Sequence, residues 1–283
     1  MNDLRWDQIL TNQLHQPLLK WPGGKTKLMP SIRERFPRDE SLRWVEPFIG
    51  SGSVFLNMFV SHGILADSNP DLINFYMSVQ SRKSHLVEQI KELSGKTYSE
   101  PDYYQLRDNF NSNDEPVSRA AQFYALNKLG FNGLCRYSLK SRKYSVPWGK
   151  RSCFTFSPSR MDYLCFRLSG IELLTTGFEV TLADAGAGDQ IYCDPPYDKL
   201  NNGSFVSYDG TQFDKLAHTQ LADMLVNAHR KGATVAISNS KTPFTMQLYE
   251  DRGFAIHELS AYRSIGGKGS SRSKAIELLA VLG

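Results

Sequence analysis

The tetrapeptide Asp-Pro-Pro-Tyr at residues 194–197 is the segment of this sequence best suited to do chemistry. Proline donates no backbone N–H and fixes φ, so the carbonyl before each proline is held rigid and unpaired. A carboxylate beside such a carbonyl offers two acceptors to an amino group on a planar ring, and the tyrosine offers that ring a flat face. Held in this way, the amino nitrogen can become tetrahedral and attack an electrophile. A plain proline-rich turn is the simpler alternative.

Two strand ends could hold a small ligand for the same reaction. Gly50 and Gly52 permit a tight turn against a ligand, but Phe55 stands where the dinucleotide fingerprint needs its third glycine. Asp67 ends the next predicted strand, where a carboxylate can bind ribose hydroxyls.

A Gly-Gly-Lys-Thr sequence at residues 23–26 is similar to the end of a phosphate-binding loop. Leu19 stands where the first glycine of that pattern belongs, so we reject nucleoside triphosphate binding. A Gly-Gly turn beside a lysine can instead bind a carboxylate, such as the amino-acid end of a methionine derivative. An ordinary surface loop is the alternative.

Basic residues are concentrated at positions 128–151, which contain no acidic residue. Aromatic residues are interleaved with the lysines and arginines there, a combination that suits a polyanion with stackable bases. For Lys140, Arg142 and Lys143, phosphate contact or simple solvation is the expected role. The net charge of +4 agrees with this partner but is weak evidence by itself.

The composition is that of a globular protein of 283 residues, of which 41% are hydrophobic. No run is long enough to span a membrane, and residues 1–16 lack the apolar core of a signal peptide. We therefore expect a cytoplasmic protein with a short N-terminal arm. The four cysteines form no Cys-x-x-Cys pair, so we expect free thiols and no metal site.

Short apolar strands alternate with helices in two parts of the chain. Strands are predicted at 44–48, 63–67, 190–193, 233–238, 254–262 and 275–282, and helices at 69–79 and 214–231, the latter with Leu216, Leu221 and Leu225 facing the core. This pattern predicts an α/β doubly wound sheet. Residues 84–93, 101–110 and 116–129 are helical without strands between them, which predicts an inserted, mainly helical domain.

Five motifs occur in an order that resembles Dam-type DNA adenine-N6 methyltransferases of class alpha. They lie at residues 20–25, 46–55, 66–67, 132–136 and 194–197. Pro22 stands where the family usually has a small residue, and both glycines that follow it are intact. The resemblance implies a Rossmann-like methyltransferase sheet formed by residues 17–80 and 167–283, with a DNA target-recognition domain at 81–166.

The resemblance also implies roles for individual residues. The implied catalytic group is Asp194, Pro195, Pro196 and Tyr197. The implied binding site for S-adenosylmethionine is Trp21, Gly23, Gly24, Lys25, Phe48, Gly50, Gly52, Asp67, Phe178 and Asp194. The implied DNA contacts are Lys20, Phe131, Asn132, Gly133, Leu134, Arg136, Tyr137, Lys140, Arg142, Phe205 and Tyr208.

The implied reaction is methyl transfer from S-adenosylmethionine to N6 of an adenine flipped out of duplex DNA, within the site GATC. No membrane and no obligatory protein partner are expected. One alternative keeps the chemistry and changes the substrate to the amino groups of RNA bases. Another is a DNA-binding module that has lost catalysis, against which the intact Asp194, Tyr197 and Gly50 argue.

Overall fold

Seven strands form one sheet in the described part of this computed structural model, which comprises residues 14–198, 213–262 and 274–283. The strands are β1 (Arg43–Glu46), β2 (Gly63–Asp67), β3 (Ile171–Thr175), β4 (Asp189–Cys193), β5 (Thr234–Ser240), β6 (Ala255–Tyr262) and β7 (Lys274–Leu282). Their order is β3-β2-β1-β4-β5-β7-β6. Strands β1 to β5 are parallel, whereas β7 is antiparallel to β5 and β6.

Alternating side chains of the central strands enter two separate cores, one on each face of the sheet. Trp44 and Tyr192 pack into one core, while Val45 and Ile191 pack into the other. This follows from the two-residue period of a strand. All five residues of β4 are buried, as is typical of a parallel strand covered on both faces.

Helices connect the strands. They are α1 (Met29–Arg35), α2 (Pro70–Ser94), α3 (Glu100–Asn111), α4 (Pro116–Leu129), α5 (Pro158–Arg167), α6 (Phe178–Thr181), α7 (Lys215–Arg230) and α8 (Pro243–Glu250). The strands and helices confirm the expected α/β doubly wound fold. No helix of the described residues is long and apolar enough to cross a membrane.

Helix α2 begins where the side chain of Asn69 accepts hydrogen bonds from the backbone N–H groups of Asp71 and Leu72. The single helix α2 covers both helices predicted at 69–79 and 84–93. A kink at Arg82, where φ is −134° and ψ is 29°, lies between the two predicted segments. Helix α4 packs against α2. Residues 81–166 contain no strand of the sheet, and the division of the chain into domains stays a prediction.

The structure tests two of the sequence predictions, the orientation of Leu216 and the state of the cysteines. The prediction that Leu216 faces the core is wrong, because its side chain is 75% exposed, whereas Leu221 and Leu225 are fully buried. Five residues separate Leu216 from Leu221, and at 3.6 residues per turn this places Leu216 about 140° away around α7. The expectation of free thiols is confirmed for all four cysteines.

The strand order reverses between β1 and β4, which are direct neighbours. Val45 is in register with Ile191, so the loops after both strands leave the sheet side by side. One loop carries Gly50 and the other carries Asp194. Ligands of open α/β sheets bind at such a reversal, outside the carboxyl ends of the strands.

Candidate active site and nucleic-acid interface

Asp194 follows the last residue of β4, and its side chain is 21% exposed. Its Oδ2 atom lies 2.8 Å from Nζ of Lys25. Its Oδ1 atom is buried and makes no hydrogen bond to any described residue. Burial raises the pKa of Asp194 above its ordinary value, and the Lys25 ammonium opposes that shift. The site therefore has a carboxylate oxygen that can accept a proton or a hydrogen bond from a ligand.

Lys25 was expected to bind a cofactor, and its ammonium faces the Asp-Pro-Pro-Tyr turn. Only 1% of the side chain is exposed. The ammonium donates to the carbonyl oxygen of Gly23 at 2.6 Å and lies 4.7 Å from the ring centre of Tyr197. The backbone N–H of Lys25 donates to the hydroxyl of Ser53 at 2.9 Å. These contacts join the Gly-Gly loop to both strand-end loops.

The Tyr197 hydroxyl donates a hydrogen bond to Oε2 of Glu277 at 2.8 Å. The same Oε2 atom lies 3.7 Å from Nζ of Lys25. Burial raises the pKa of Tyr197 well above its usual value, and the neighbouring carboxylates of Asp194 and Glu277 add to the shift. Sequence reasoning missed Glu277. Its signal was a single acidic residue inside the apolar strand predicted at 275–282.

Glu46 ends β1 and is 2% exposed. The indole N–H of Trp44 donates to Oε2 of Glu46 at 2.9 Å. Burial, with a smaller contribution from the negative charge of Asp194, raises the pKa of Glu46 to about 8. The raised pKa favours the protonated form of Glu46 near neutral pH.

The loop after β1 brings three predicted cofactor residues together. Gly50 has φ +47°, and a Cβ atom there would lie 2.9 Å from Cδ1 of Trp21. Its backbone N–H donates to Oδ2 of Asp67 at 3.1 Å. The N–H of Asn69 donates to Oδ1 of Asp67 at 3.0 Å. Carboxylate oxygens have further lone pairs, so Asp67 can also accept from ribose hydroxyls.

Three phenylalanines form an aromatic cluster next to the end of β2. The ring centres of Phe48 and Phe178 are 5.8 Å apart and stacked, and Phe213 packs against both. The backbone N–H of Thr176 donates to the carbonyl oxygen of Asp67, which fixes this cluster beside the carboxylate. Sequence reasoning placed Phe48 and Phe178 in one site but missed Phe213.

The tip that follows α4 carries the aromatic residue expected to enter DNA. Phe131 is 48% exposed in a short 3-10 turn, Phe131–Gly133. A Cβ atom on Gly133 would lie 2.3 Å from Cβ of Lys20, so the tip packs directly on that lysine. The Lys20 ammonium donates to the carbonyl oxygen of Lys128 at 2.8 Å. Asn127 exchanges two hydrogen bonds with the backbone of Lys20, each 2.8 Å long.

Positive charge is concentrated beneath this tip. Burial, and to a smaller extent the nearby cations Arg160 and Lys20, together lower the pKa of Lys128 to about 8. Burial, and then the charge of Arg151, also lower the pKa of Lys20. A polyanion bound here would relieve the repulsion among these groups.

Two isolated antiparallel β-bridges lie on either side of the tip: Gly130, just before it, pairs with Trp148, and Tyr137, just after it, pairs with Tyr144. Arg136 is exposed, and its guanidinium donates to the hydroxyl and carbonyl oxygens of Ser145 at 3.3 and 3.2 Å.

The hydroxyl of Tyr137 donates to Oδ2 of Asp71 at 2.5 Å, so this predicted DNA contact is anchored on α2.

The remaining predicted DNA contacts fall into three groups. Asn132, Lys140 and Arg142 are exposed, whereas Leu134 is half-buried and its carbonyl oxygen accepts from the Tyr144 hydroxyl. Phe205 and Tyr208 lie outside the described residues.

Comparisons with known proteins agree with this arrangement. A family model described as D12 class N6 adenine-specific DNA methyltransferase matches residues 21–265. The chain is 36% identical to the DNA adenine methylase of Haemophilus influenzae over 273 residues, covering 95% of this chain and 94% of that protein. It is 35% identical to the DNA adenine methylase of Escherichia coli K12 over 269 residues, covering 94% and 95%. The DNA N-6-adenine-methyltransferase of Escherichia phage P1 is 35% identical over 272 residues, which are 95% of this chain and 36% of that protein.

Proposed function

Since this chain belongs to the D12 class N6 adenine-specific DNA methyltransferases, we propose that it takes its methyl group from S-adenosylmethionine and methylates a flipped adenine in duplex DNA, within GATC. That it is an adenine-specific DNA methyltransferase follows from the family. The donor, the flipped state of the base and the recognised sequence are the parts that we propose.

The residues at the carboxyl edge of the sheet fit the proposed donor. Asp67 can accept hydrogen bonds from ribose hydroxyls, and the Phe48–Phe178 cluster can pack against a purine. Gly50 leaves the space beside Trp21 that a larger residue would fill. When bound, S-adenosylmethionine supplies an electrophilic methyl group, so that the N6 lone pair forms the new N–C bond, the C–S electron pair returns to sulfur, and N6 loses one proton.

Asp194 is the residue that would act directly on the adenine amino group in this proposal. Its buried Oδ1 atom would accept a hydrogen bond from the adenine amino group, which favours a tetrahedral nitrogen with its lone pair free. Its raised pKa also suits it to receive the proton that N6 must lose. Lys25 holds the other oxygen, Oδ2, and so fixes the orientation of the carboxylate. Pro195 and Pro196 keep the turn rigid, and Tyr197 would stack on the adenine.

The adenine must leave the helix to reach this buried group, at a cost of a few kcal/mol. Phe131 is exposed on a tip braced by Lys20, so it can insert into the stack and occupy the space that the base leaves. Residues 81–166 would then be the target-recognition domain, joined to a catalytic domain of residues 17–80 and 167–283.

Recognition of the sequence GATC is the most detailed part of the proposal. Arg136 is the candidate for a bidentate contact to guanine in the major groove, while Leu134 would contact a thymine methyl group. Lys20 would read a further base, which its packing against Gly133, the residue before Leu134, supports. Lys140 and Arg142 are exposed and would contact phosphates.

The single observation that supports the proposal most strongly is the buried Oδ1 atom of Asp194, which has no hydrogen-bond partner among the described residues and lies beside Lys25 at the reversal of the strand order. The test is a map of methylated positions at base resolution after purified protein acts on plasmid DNA with labelled S-adenosylmethionine. We expect label on adenine N6 within GATC. Methylation in another sequence would overturn the specificity, and preferential labelling of tRNA or rRNA supplied in parallel would overturn the duplex DNA substrate.

A further inference from the structure

We propose that Glu277 is a positioning residue of the methyl-transfer site, which orients the ring of Tyr197 and holds Lys25 against Asp194. This inference rests on the proposed function, because it assigns Glu277 to the same reaction. It adds to that function a residue far along the chain from the Asp-Pro-Pro-Tyr turn.

The first observation is the shared oxygen atom. Oε2 of Glu277 accepts the Tyr197 hydroxyl at 2.8 Å and lies 3.7 Å from the Lys25 ammonium. Tyr197 needs an anchored hydroxyl to keep its ring in one orientation, since rotation about its side-chain bonds would change the plane on which a base stacks. Glu277 supplies that anchor.

The second observation is burial. The Glu277 side chain is 18% exposed and that of Lys25 is 1% exposed, so water screens their interaction weakly. Lys25 thus lies between two carboxylates, at 2.8 Å from Asp194 and 3.7 Å from Glu277. Glu277 adds a second negative charge near the place where methyl transfer would develop positive charge on N6.

The third observation is where β7 places this carboxylate. Glu277 is in register with Ser240, the last residue of β5, and the next residue of β7, Leu278, is fully buried. Because β7 runs antiparallel to β5, Glu277 lies at the carboxyl edge of the parallel strands, with only β5 between β7 and β4, and its side chain reaches Tyr197 in the turn after β4. The residue before it, Ile276, is 44% exposed. A charged side chain in an apolar strand is costly unless it is paired, so this acidic residue belongs to the polar site, where Tyr197 and Lys25 are its partners, and not to the hydrophobic core.

The negative charge of Glu277 also raises the pKa of Asp194, which gives the proposal a readout beyond loss of activity. Replacement by glutamine removes this charge, so the pKa of Asp194 should fall. If transfer needs ionised Asp194, the acidic limb of the rate profile should then move to lower pH. The other charged or titratable groups whose interactions involve Asp194 are Lys25, Glu46, Tyr192, Cys193 and Tyr197.

The test compares Glu277→Gln and Glu277→Ala with the wild-type protein in single-turnover methyl transfer to a GATC duplex between pH 5 and 9. Glutamine can still accept the Tyr197 hydrogen bond, so we expect a rate loss of about 3–10-fold and the shifted acidic limb. Alanine removes the acceptor as well, and we expect a loss of about 30–100-fold. Affinity for S-adenosylmethionine, measured by calorimetry, should change less than the rate.

Glu258→Gln is the matched control, because Glu258 lies on the neighbouring strand β6 in an exposed ion pair with Lys241. It should keep the wild-type rate and pH profile. Wild-type rates in both Glu277 variants, or an unmoved acidic limb in Glu277→Gln, would overturn the role of Glu277. The nearly isosteric glutamine variant keeps the test decisive if the alanine variant does not fold. Failure of the wild-type protein to methylate adenine would instead refute the proposed function.

Discussion

Nζ of Lys25 lies 2.8 Å from Oδ2 of Asp194, although the two residues belong to loops far apart in the sequence. This ion pair links the Gly-Gly-Lys loop to the Asp-Pro-Pro-Tyr turn, so the loop expected to hold the methyl donor also orients the carboxylate expected to hold the adenine. Each of the following predictions depends on this arrangement of the site or on the DNA interface beside it.

Replacing Lys25 by methionine should disable the site while the fold persists. Without the ammonium, the carboxylate of Asp194 loses its orienting partner and its pKa rises further. We expect kcat to fall on the order of 100-fold, and the acidic limb of the kcat profile to move to higher pH. Steady-state kinetics across pH tests this. Lys27→Met is the control, since Lys27 is exposed on the same segment and should keep wild-type kinetics. An unchanged profile in Lys25→Met would contradict the role given to the ion pair.

Replacing Gly50 by alanine should weaken binding of the methyl donor. The new Cβ atom would meet Cδ1 of Trp21 at 2.9 Å, so the indole must move out of the proposed binding site. We expect the Kd for S-adenosylmethionine to rise about 10-fold or more, equivalent to about 1.4 kcal/mol, as calorimetry would show. Gly253→Ala imposes similar backbone strain where a Cβ atom meets nothing within 4 Å. It should lower stability and leave the Kd unchanged, and equal effects on Kd from both variants would refute the steric explanation.

Phe131→Ala should impair base flipping without unfolding the protein. The side chain is 48% exposed, so its removal leaves little cavity in the core. We expect less fluorescence increase from a duplex with 2-aminopurine at the target adenine, and a transfer rate lower by about 10-fold or more. Phe166→Ala removes a phenylalanine that is 47% exposed on α5 and should behave as wild type. A full fluorescence increase in Phe131→Ala would mean that another residue opens the helix.

Arg136 and Lys140 should differ in what they recognise. Arg136→Ala should lose about 1–3 kcal/mol of discrimination at one G·C pair. Lys140→Ala should instead weaken binding to all duplexes evenly and make binding less dependent on salt. Competition binding with GATC duplexes and singly substituted duplexes, at two salt concentrations, separates the two effects. Uniform weakening by Arg136→Ala would show that this arginine contacts a phosphate.

Glu46 should make the stability of the protein depend on pH. Its pKa is about 8 in the folded protein, above its ordinary value of 4.5, so the folded state binds the proton more tightly than the unfolded state. The stability that Glu46 contributes is therefore complete below pH 4.5 and is lost as pH rises through about 8. Between these values the free energy of unfolding should fall steadily with each pH unit.

Glu46→Gln isolates this contribution, because glutamine cannot ionise and has nearly the same shape. Urea unfolding of wild-type protein and variant at intervals from pH 5 to 9 gives the difference in free energy of unfolding. We expect this difference to move in favour of the variant as pH rises. A constant difference would show that Glu46 is already ionised at neutral pH.

The sequence predicted those elements that have a strong hydrophobic period or clear end signals. Helix α4 begins at Pro116 and ends before Gly130, as its proline and glycine indicate. Strand β3, Ile171–Thr175, was missed although it is no shorter than the strands predicted at 63–67 and 190–193, because no carboxylate marks its end and its short apolar run fits a helix end equally well. Helix α8 was missed although Thr242 and Pro243 mark its start, because its eight residues show little period.

Individual site residues were predictable where a motif carries them, and pairings between motifs were not. Short sequence motifs predicted Asp194, Lys25 and Asp67 as site residues. No local pattern could show that Lys25 would form an ion pair with Asp194. Glu277 and Phe213 enter the site only because the sheet order brings β7 and the start of α7 to its carboxyl edge. Such contacts depend on tertiary packing, which a single sequence without related sequences does not specify.

The most direct measurement is single-turnover methyl transfer by Asp194→Asn on a GATC duplex, with donor and DNA affinities measured on the same preparation. Asparagine keeps the shape and one acceptor oxygen but cannot take a proton or hold the Lys25 ammonium by charge. We predict a rate loss of at least about 1,000-fold while both affinities stay within a few-fold of wild type. A variant that transfers methyl at the wild-type rate would contradict the account.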